Sequence, residues 1–145
     1  MQVEAFDTQF RELYLDSVRL VGVVSAGQLY SETASAPSFG ECLVRGAGVV
    51  ERTFGGLTAN LWDDPFEWTL PETLKTPADV LAYLNEVEAT RRRGFALLKD
   101  GDLDRLIAVA PDELKLVRRL LRETLDNAAS WHSRASEALE LLQTG

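Results

Sequence analysis

A single histidine, His132, and a single cysteine, Cys42, stand in a chain of 145 residues. One thiol excludes an intrachain disulfide and any cysteine-based zinc motif. One imidazole means that a histidine-dependent triad has only His132 to use. No P-loop, GxSxG or HExxH motif is present. Long apolar runs are also missing, and the longest fall far short of a membrane span. The first fifteen residues, MQVEAFDTQFRELYL, carry charge where a secretory signal needs a continuous apolar stretch. These absences predict a cytoplasmic protein with no membrane partner. Basic charge is scarce too: 15 Lys and Arg face 23 Asp and Glu, a net charge of −8. Non-specific DNA binding needs clustered Lys and Arg that release counterions. The triplet Arg91-Arg92-Arg93 is too short to supply that, so no nucleic-acid partner is expected.

What the chain does have is a 46% hydrophobic content, enough for one domain over residues 1–145 with a substantial core. Its periodicity predicts four helices. The first spans roughly Asp7 to Gln28, with Phe6, Phe10, Leu13, Ser17, Leu20 and Val24 at three- and four-residue steps. A polar loop, SETASAPS, ends in Ser38-Phe39-Gly40-Glu41, whose Ser and Glu have capping-box spacing and start a second helix. That helix carries Phe39, Leu43, Val50, Phe54, Leu57 and Leu61, together with Gly46, Ala47, Gly48, Gly55 and Gly56. Interior glycines cost about 1 kcal/mol each relative to alanine, so they imply close approach of another backbone or of a ligand. From Trp62 to Lys75 two prolines, Pro65 and Pro71, forbid a regular helix. The aromatics of this stretch predict a long ordered connection packed back over the helices. Thr76-Pro77-Ala78-Asp79 then caps a third helix running to about Lys99, with Val80, Leu84, Val87, Arg91 and Phe95 on one stripe. A short connection leads to Pro111 and a fourth helix to about Leu142, whose stripe includes Leu114, Val117, Leu121, Leu125, Ala128 and His132. No strand alternation competes, and the expectation is an all-α four-helix bundle.

Few residues on these helices suggest chemistry. Three readings are open for His132: a core-edge imidazole satisfied by a hydrogen bond, a pocket-lining group, or a metal ligand. Cys42, near the start of the second helix, reads as a small buried hydrophobe or a thiol activated by the helix terminus. Asp63-Asp64 reads as a solvated turn or a cation site. Arg45, set among small and apolar residues, must reach solvent, pair with Glu41 or Glu51, or meet an anionic ligand.

The segment SFGECLVRGAGVVERTFGGL from Ser38 to Leu57, then Trp62, PFEWTLPETL and PADVLAYLNEVEATRRRGFALL, resembles the DinB-like superfamily, which includes YfiT-type metal-dependent hydrolases. LLRETLDNAASWHSRASEALELL resembles that family's last helix. The resemblance covers most of the chain in element order and implies an up-down-down-up four-helix bundle, commonly a homodimer through helix faces. It also implies a divalent metal such as zinc or nickel, held by one histidine of the second helix and a His-x-x-x-His pair of the last. Those positions fall at Arg45, give or take one residue, and at Ala128 and His132, so His132 alone matches. A replacement site from His132, Cys42 and a carboxylate such as Glu51 is conceivable, but three strong donors at about 2 Å are otherwise lacking.

Two functional expectations follow. In the first, the chain is a non-enzymatic DinB-like bundle without the family metal. It holds a small anionic ligand in a pocket edged by His132, Arg45, Ala128, Trp131, Trp62 and Glu51, or acts through dimerisation. In the second, it is a metal-dependent hydrolase or a low-molecular-weight thiol S-transferase with unconventional ligands. The family name adds an expectation of stress-linked expression. The glycine-rich second helix and the aromatics from Trp62 to Trp68 are the expected dimer face.

Overall fold

The computed structural model describes residues 2–32, 37–62 and 73–144. The expected ordered connection, Asp63-Asp64, Pro65, Trp68 and Pro71 therefore lie outside the described residues. Among the described residues the chain is predominantly helical with one small hairpin: α1 (Gln2–Val21), α2 (Ala26–Leu29), α3 (Phe39–Ala59), α4 (Pro77–Ala96), a 3-10 turn (Asp100–Asp104), β1 (Leu106–Ala110), β2 (Glu113–Leu116) and α5 (Val117–Thr144). None of the described helices is long and apolar enough to cross a membrane.

Local chemistry sets most of the boundaries. The expected first helix is two helices, because Ser25 and Gln28 close a reciprocal capping box that restarts the chain as α2 after α1 ends at Val21. Ser38 caps α3 by accepting from the Glu41 amide at 3.3 Å, but the Glu41 carboxylate turns to Arg45 and does not complete the expected box. Asn60, in the left-handed region at φ 57°, ends α3: its N–H donates to the Gly56 carbonyl and the following N–H, of Leu61, to that of Gly55. Leu61, expected on the helical stripe, is thereby left outside α3 and exposed. Thr76 and Asp79 form a full capping box ahead of Pro77 and start α4 as expected.

The largest departure from expectation lies ahead of α5. Residues read as connection and first helical turns are an antiparallel hairpin pairing Leu106 with Leu116 and Ala108 with Leu114. LIAVA contains the β-branched Ile107 and Val109 and its burial alternates as in a strand, and Pro111-Asp112 supply the turn. The three-residue step from Leu114 to Val117 mimicked helical spacing, although it straddles the end of β2. Helix α5 starts at Val117 instead of Pro111.

Each of the four long helices packs against two others: α3 most extensively on α5 and then on α4, and α1 on α4 and α5. Inside this ring lie two apolar clusters. One, toward the α2 end, centres on Phe39, Leu43, Val44, Val80 and Ala135. The other centres on Phe10, Phe54, Phe95, Leu121 and Leu125. In the second cluster Phe10 meets Phe54 edge-on, with ring centroids 5.5 Å apart and planes at 84°, and Phe95 lies 5.3 Å from Phe54. Helix α4 reaches this close because residue 94 is glycine: a Cβ there would stand 2.8 Å from Cδ1 of the fully buried Phe54.

Gly94→Ala separates two effects by sign. Helix propensity alone would stabilise by about 1 kcal/mol, whereas forcing the Cβ against Phe54 costs about 1–3 kcal/mol. The expected outcome is net destabilisation, read as a lower urea midpoint at unchanged slope.

Candidate functional site

A cavity of about 40 Å³ lies between the four long helices, roughly three times the 10–15 Å³ that one water needs on this measure. Helix α3 contributes Gly46 and Ala47, and α5 contributes Ala128 and His132. Leu43, Val50, Leu84, Val87 and Leu13 make the remaining wall largely apolar, and Ser17, Tyr14, Glu88 and Arg91 supply polar groups. Small residues create the space: a Cβ at Gly46 would lie 3.2 Å from Trp131 Cβ, so α3 and α5 are in tight contact beside the cavity. Ser17 donates to the Leu13 carbonyl at 2.9 Å and Tyr14 to Asn85 at 2.6 Å, so both hydroxyl protons are engaged.

The charged part of the lining, Arg91 and Glu88, belongs to an ion cluster that extends to the partly exposed Asp7. Arg91 is 1% exposed and Glu88 7%. The Arg91 guanidinium donates through Nε and Nη2 to the two oxygens of Glu88, the latter at 3.0 Å, and through Nη1 to Asp7 Oδ1 at 2.6 Å. Its Cζ also lies 5.2 Å from the Phe95 centroid and 5.9 Å from that of Phe10. Burial alone would lower the Arg91 pKa; the bonds to Glu88 and Asp7 outweigh it and raise the pKa above its ordinary value. Asp7 Oδ2 also accepts from Arg11 at 3.1 Å, so two guanidiniums and two carboxylates form a locked cluster with no net formal charge.

His132 stands where the cavity adjoins a wider outer groove of about 560 Å³ between α1 and α5, lined by Glu12, Asp16, Arg122 and Asp126 among others. Its buried Nε2 is 2.8 Å from Asp16 Oδ2, yet the carboxylate lies off the N–H axis, so this is a close electrostatic contact without an aligned hydrogen bond. Burial lowers the imidazole pKa, the Asp16 charge opposes that, and Arg19 reinforces it; the net shift is downward from 6.5. Burial thus favours the neutral imidazole against the pull of Asp16.

Of the residues singled out from the sequence, the fold brings His132 and Ala128 together at the cavity and leaves the others away from it. Arg45 bonds Glu41, with Nε–Oε1 at 3.3 Å, and lies over the Trp131 ring at 5.6 Å, while Arg134 stacks on the same ring at 4.8 Å. Trp62 covers Gly56 and donates its indole N–H to Asn60 at 3.0 Å. Glu51 accepts from the Tyr83 hydroxyl and ties α3 to α4. Cys42 is fully buried, and burial followed by the Glu41 charge pushes its thiol pKa up, the reverse of activation.

These residues do not fit a three-histidine zinc or nickel centre. Beside the His132 imidazole the matching positions offer a methyl group at Ala128 and either a paired cation at Arg45 or no side chain at Gly46. Among the described residues no three His, Cys, Asp or Glu side chains converge as a metal-binding group.

Sequence reasoning overlooked Glu88 and Asp7 as cavity-side groups. The signal was Arg91, a charge on the apolar stripe of α4, with an acid three residues before it on the same face. It also missed the buried Thr53–Thr124 bond of 2.6 Å joining α3 to α5. Thr124 donates to the Leu120 carbonyl, which makes Thr53 the donor of that pair. Comparison of the chain with protein-family models, curated proteins and solved structures finds no match in any of the three.

Arg91→Met leaves Glu88 buried without its cation and is expected to cost about 3–5 kcal/mol. Replacing both, Glu88→Leu with Arg91→Met, removes the orphaned charge and should recover most of that loss in denaturant titration.

A second expectation concerns pH. Because the folded imidazole binds its proton less tightly than the unfolded one, stability is complete above about pH 6.5 and falls as pH drops below it. Thermal melts from pH 8 to 5 should show this slope in the parent and a flatter one in His132→Gln. As the sole histidine, its imidazole NMR signal should titrate with a midpoint below 6.5.

Proposed function

We propose that this chain is a non-catalytic helical bundle of the DinB-like type, up-down-down-up, that binds a small neutral organic molecule in its interior cavity. The observation carrying this reading is that Gly46, Ala128 and His132 line one cavity. Those are the three positions at which the resemblance expects metal-binding histidines, allowing the one-residue latitude at Arg45. Side chains that would have filled the space with donors are reduced to a hydrogen and a methyl, leaving a largely apolar volume with one imidazole. The ring in which each long helix packs on two others supports the bundle reading.

Charge favours a neutral occupant over the anion expected from Arg45. Arg91, the cation lining the cavity, is already engaged by Glu88 and Asp7 and is not free to pair with an added anion. Apolar burial with one or two polar contacts is the ordinary recipe of such a pocket. No step of chemistry is assigned to it.

Thermal shift and ligand-observed NMR with ethanol and acetonitrile, small enough for the cavity, beside acetate and phosphate, test the reading. Ligand at ten times its dissociation constant stabilises by about 1.4 kcal/mol. The neutral compounds should raise the melting temperature, and Ala128→Leu, which fills the cavity, should abolish the effect. Stabilisation by the anions alone, lost in Arg45→Ala, would overturn it. So would stoichiometric zinc or nickel in untagged protein that is lost on His132→Ala.

A further inference from the structure

The hairpin ahead of α5 presents an apolar face that its own chain does not cover. Leu106 is 57% exposed, Leu114 64% and Leu116 38%. Cross-strand pairing of Leu106 with Leu116 and of Ala108 with Leu114 places these four on one face. The opposite face is the one that is occupied: Ile107 packs on the lower aromatic cluster and Lys115 bonds Glu123.

Charge is divided along the same hairpin. Its tip carries two exposed acids, Asp112 and Glu113. Its base, in a chain of net charge −8, is the reverse: Leu116 adjoins a cleft of about 440 Å³ lined by Arg118, Arg119, Arg122 and Phe6, with Glu123 as its acid. Arg105 stands at the start of β1 on the same side of the chain order. The ion pairs already made there, Arg105–Asp102 at 3.4 Å, Arg118–Asp104 at 3.3 Å and Arg119–Glu123 at 2.9 Å, are exposed and hold their arginines weakly.

An apolar face with an acidic end and a basic end is self-complementary when turned through 180°. We infer that the hairpin is a self-association surface: two copies pack their Leu106–Leu114–Leu116 faces antiparallel about a twofold axis, and Asp112 and Glu113 of each meet the arginine cleft of the other. Every contact then occurs twice, as an isologous interface requires. Burying the leucines supplies the attraction, and the end charges select the antiparallel arrangement over the parallel one, which would set acid against acid. This inference is independent of the cavity reading. It also moves the dimer face away from the one expected on α3, where Gly46 and Gly56 are already covered by Trp131 and Trp62 of the same chain.

The hairpin is smaller than the roughly 800 Å² per partner of a durable interface, so the expected dissociation constant is on the order of 10–100 μM. Sedimentation equilibrium of the full chain at low salt should show the 16.1 kDa protomer doubling in mass across that range. Leu114→Lys, at an exposed position, should weaken association at least tenfold with the circular dichroism spectrum unchanged. Glu113→Arg and Arg118→Glu should each weaken it at least fivefold, and the two together should restore it. A monomer at every concentration up to about 1 mM would overturn the inference. So would a dimer indifferent to Leu114→Lys, or a double charge swap no tighter than either single.

Discussion

The buried Arg91 guanidinium is the constraint around which the helices are arranged. It sits on α4, receives Asp7 from α1 and Glu88 from its own helix, and lies against the rings of Phe10 and Phe95. Taking a charge out of water costs several kcal/mol, and only good geometry with full hydrogen bonding offsets it. The position of α1 relative to α4 is therefore tied to a charge that has few acceptable alternatives. The aromatic triad follows from this, since the ring faces of Phe10 and Phe95 must turn to the same cation. Phe54 then completes the cluster from α3, in the space that Gly94 leaves open. The cavity inherits its polarity from the same group: a saturated cation and its carboxylates contribute order without a free charge.

Small residues set the second constraint, the separation of α3 and α5. Gly46 lies under Trp131, and the Thr53–Thr124 bond pins the two helices further along. Close backbone approach would normally eliminate space between helices. Here Ala47, Ala128 and Gly46 fall at neighbouring positions, so the side chains are too short to fill what the surrounding Leu and Val residues leave. The imidazole of His132 stands at one side of that space, and burial shifts its pKa downward.

Much of the helical layout was legible in the chain. The Ser38 and Thr76 caps, Pro77 at the first turn of α4 and the stripe Val80, Leu84, Val87, Arg91, Phe95 all carry local signals that act within a few residues. Failures came where a local signal had a competitor. Ser25-Ala-Gly-Gln28 was absorbed into a longer periodic run although it encodes a capping box. Leu114 matched a helical step by coincidence, and the five-residue LIAVA is too short for periodicity to distinguish strand from connection. The candidate site was half legible: His132 and Ala128 meet at the cavity, whereas Arg45, Glu51, Trp62 and Trp131 find other partners on or between the helices.

By itself the sequence determined the predominantly helical character, the starts of α3 and α4, and the exclusion of an intrachain disulfide and of a three-histidine metal site. These follow from residue counts and from interactions spanning three or four positions. Tertiary structure alone decided that Asp7 would satisfy a charge 84 residues away. It also decided that Gly46, Ala128 and His132 would border one volume, and that the hairpin's leucines would face outward. Those outcomes depend on which helix faces meet and at what distance. That is a property of the packed ring as a whole, and no window of neighbouring residues contains it.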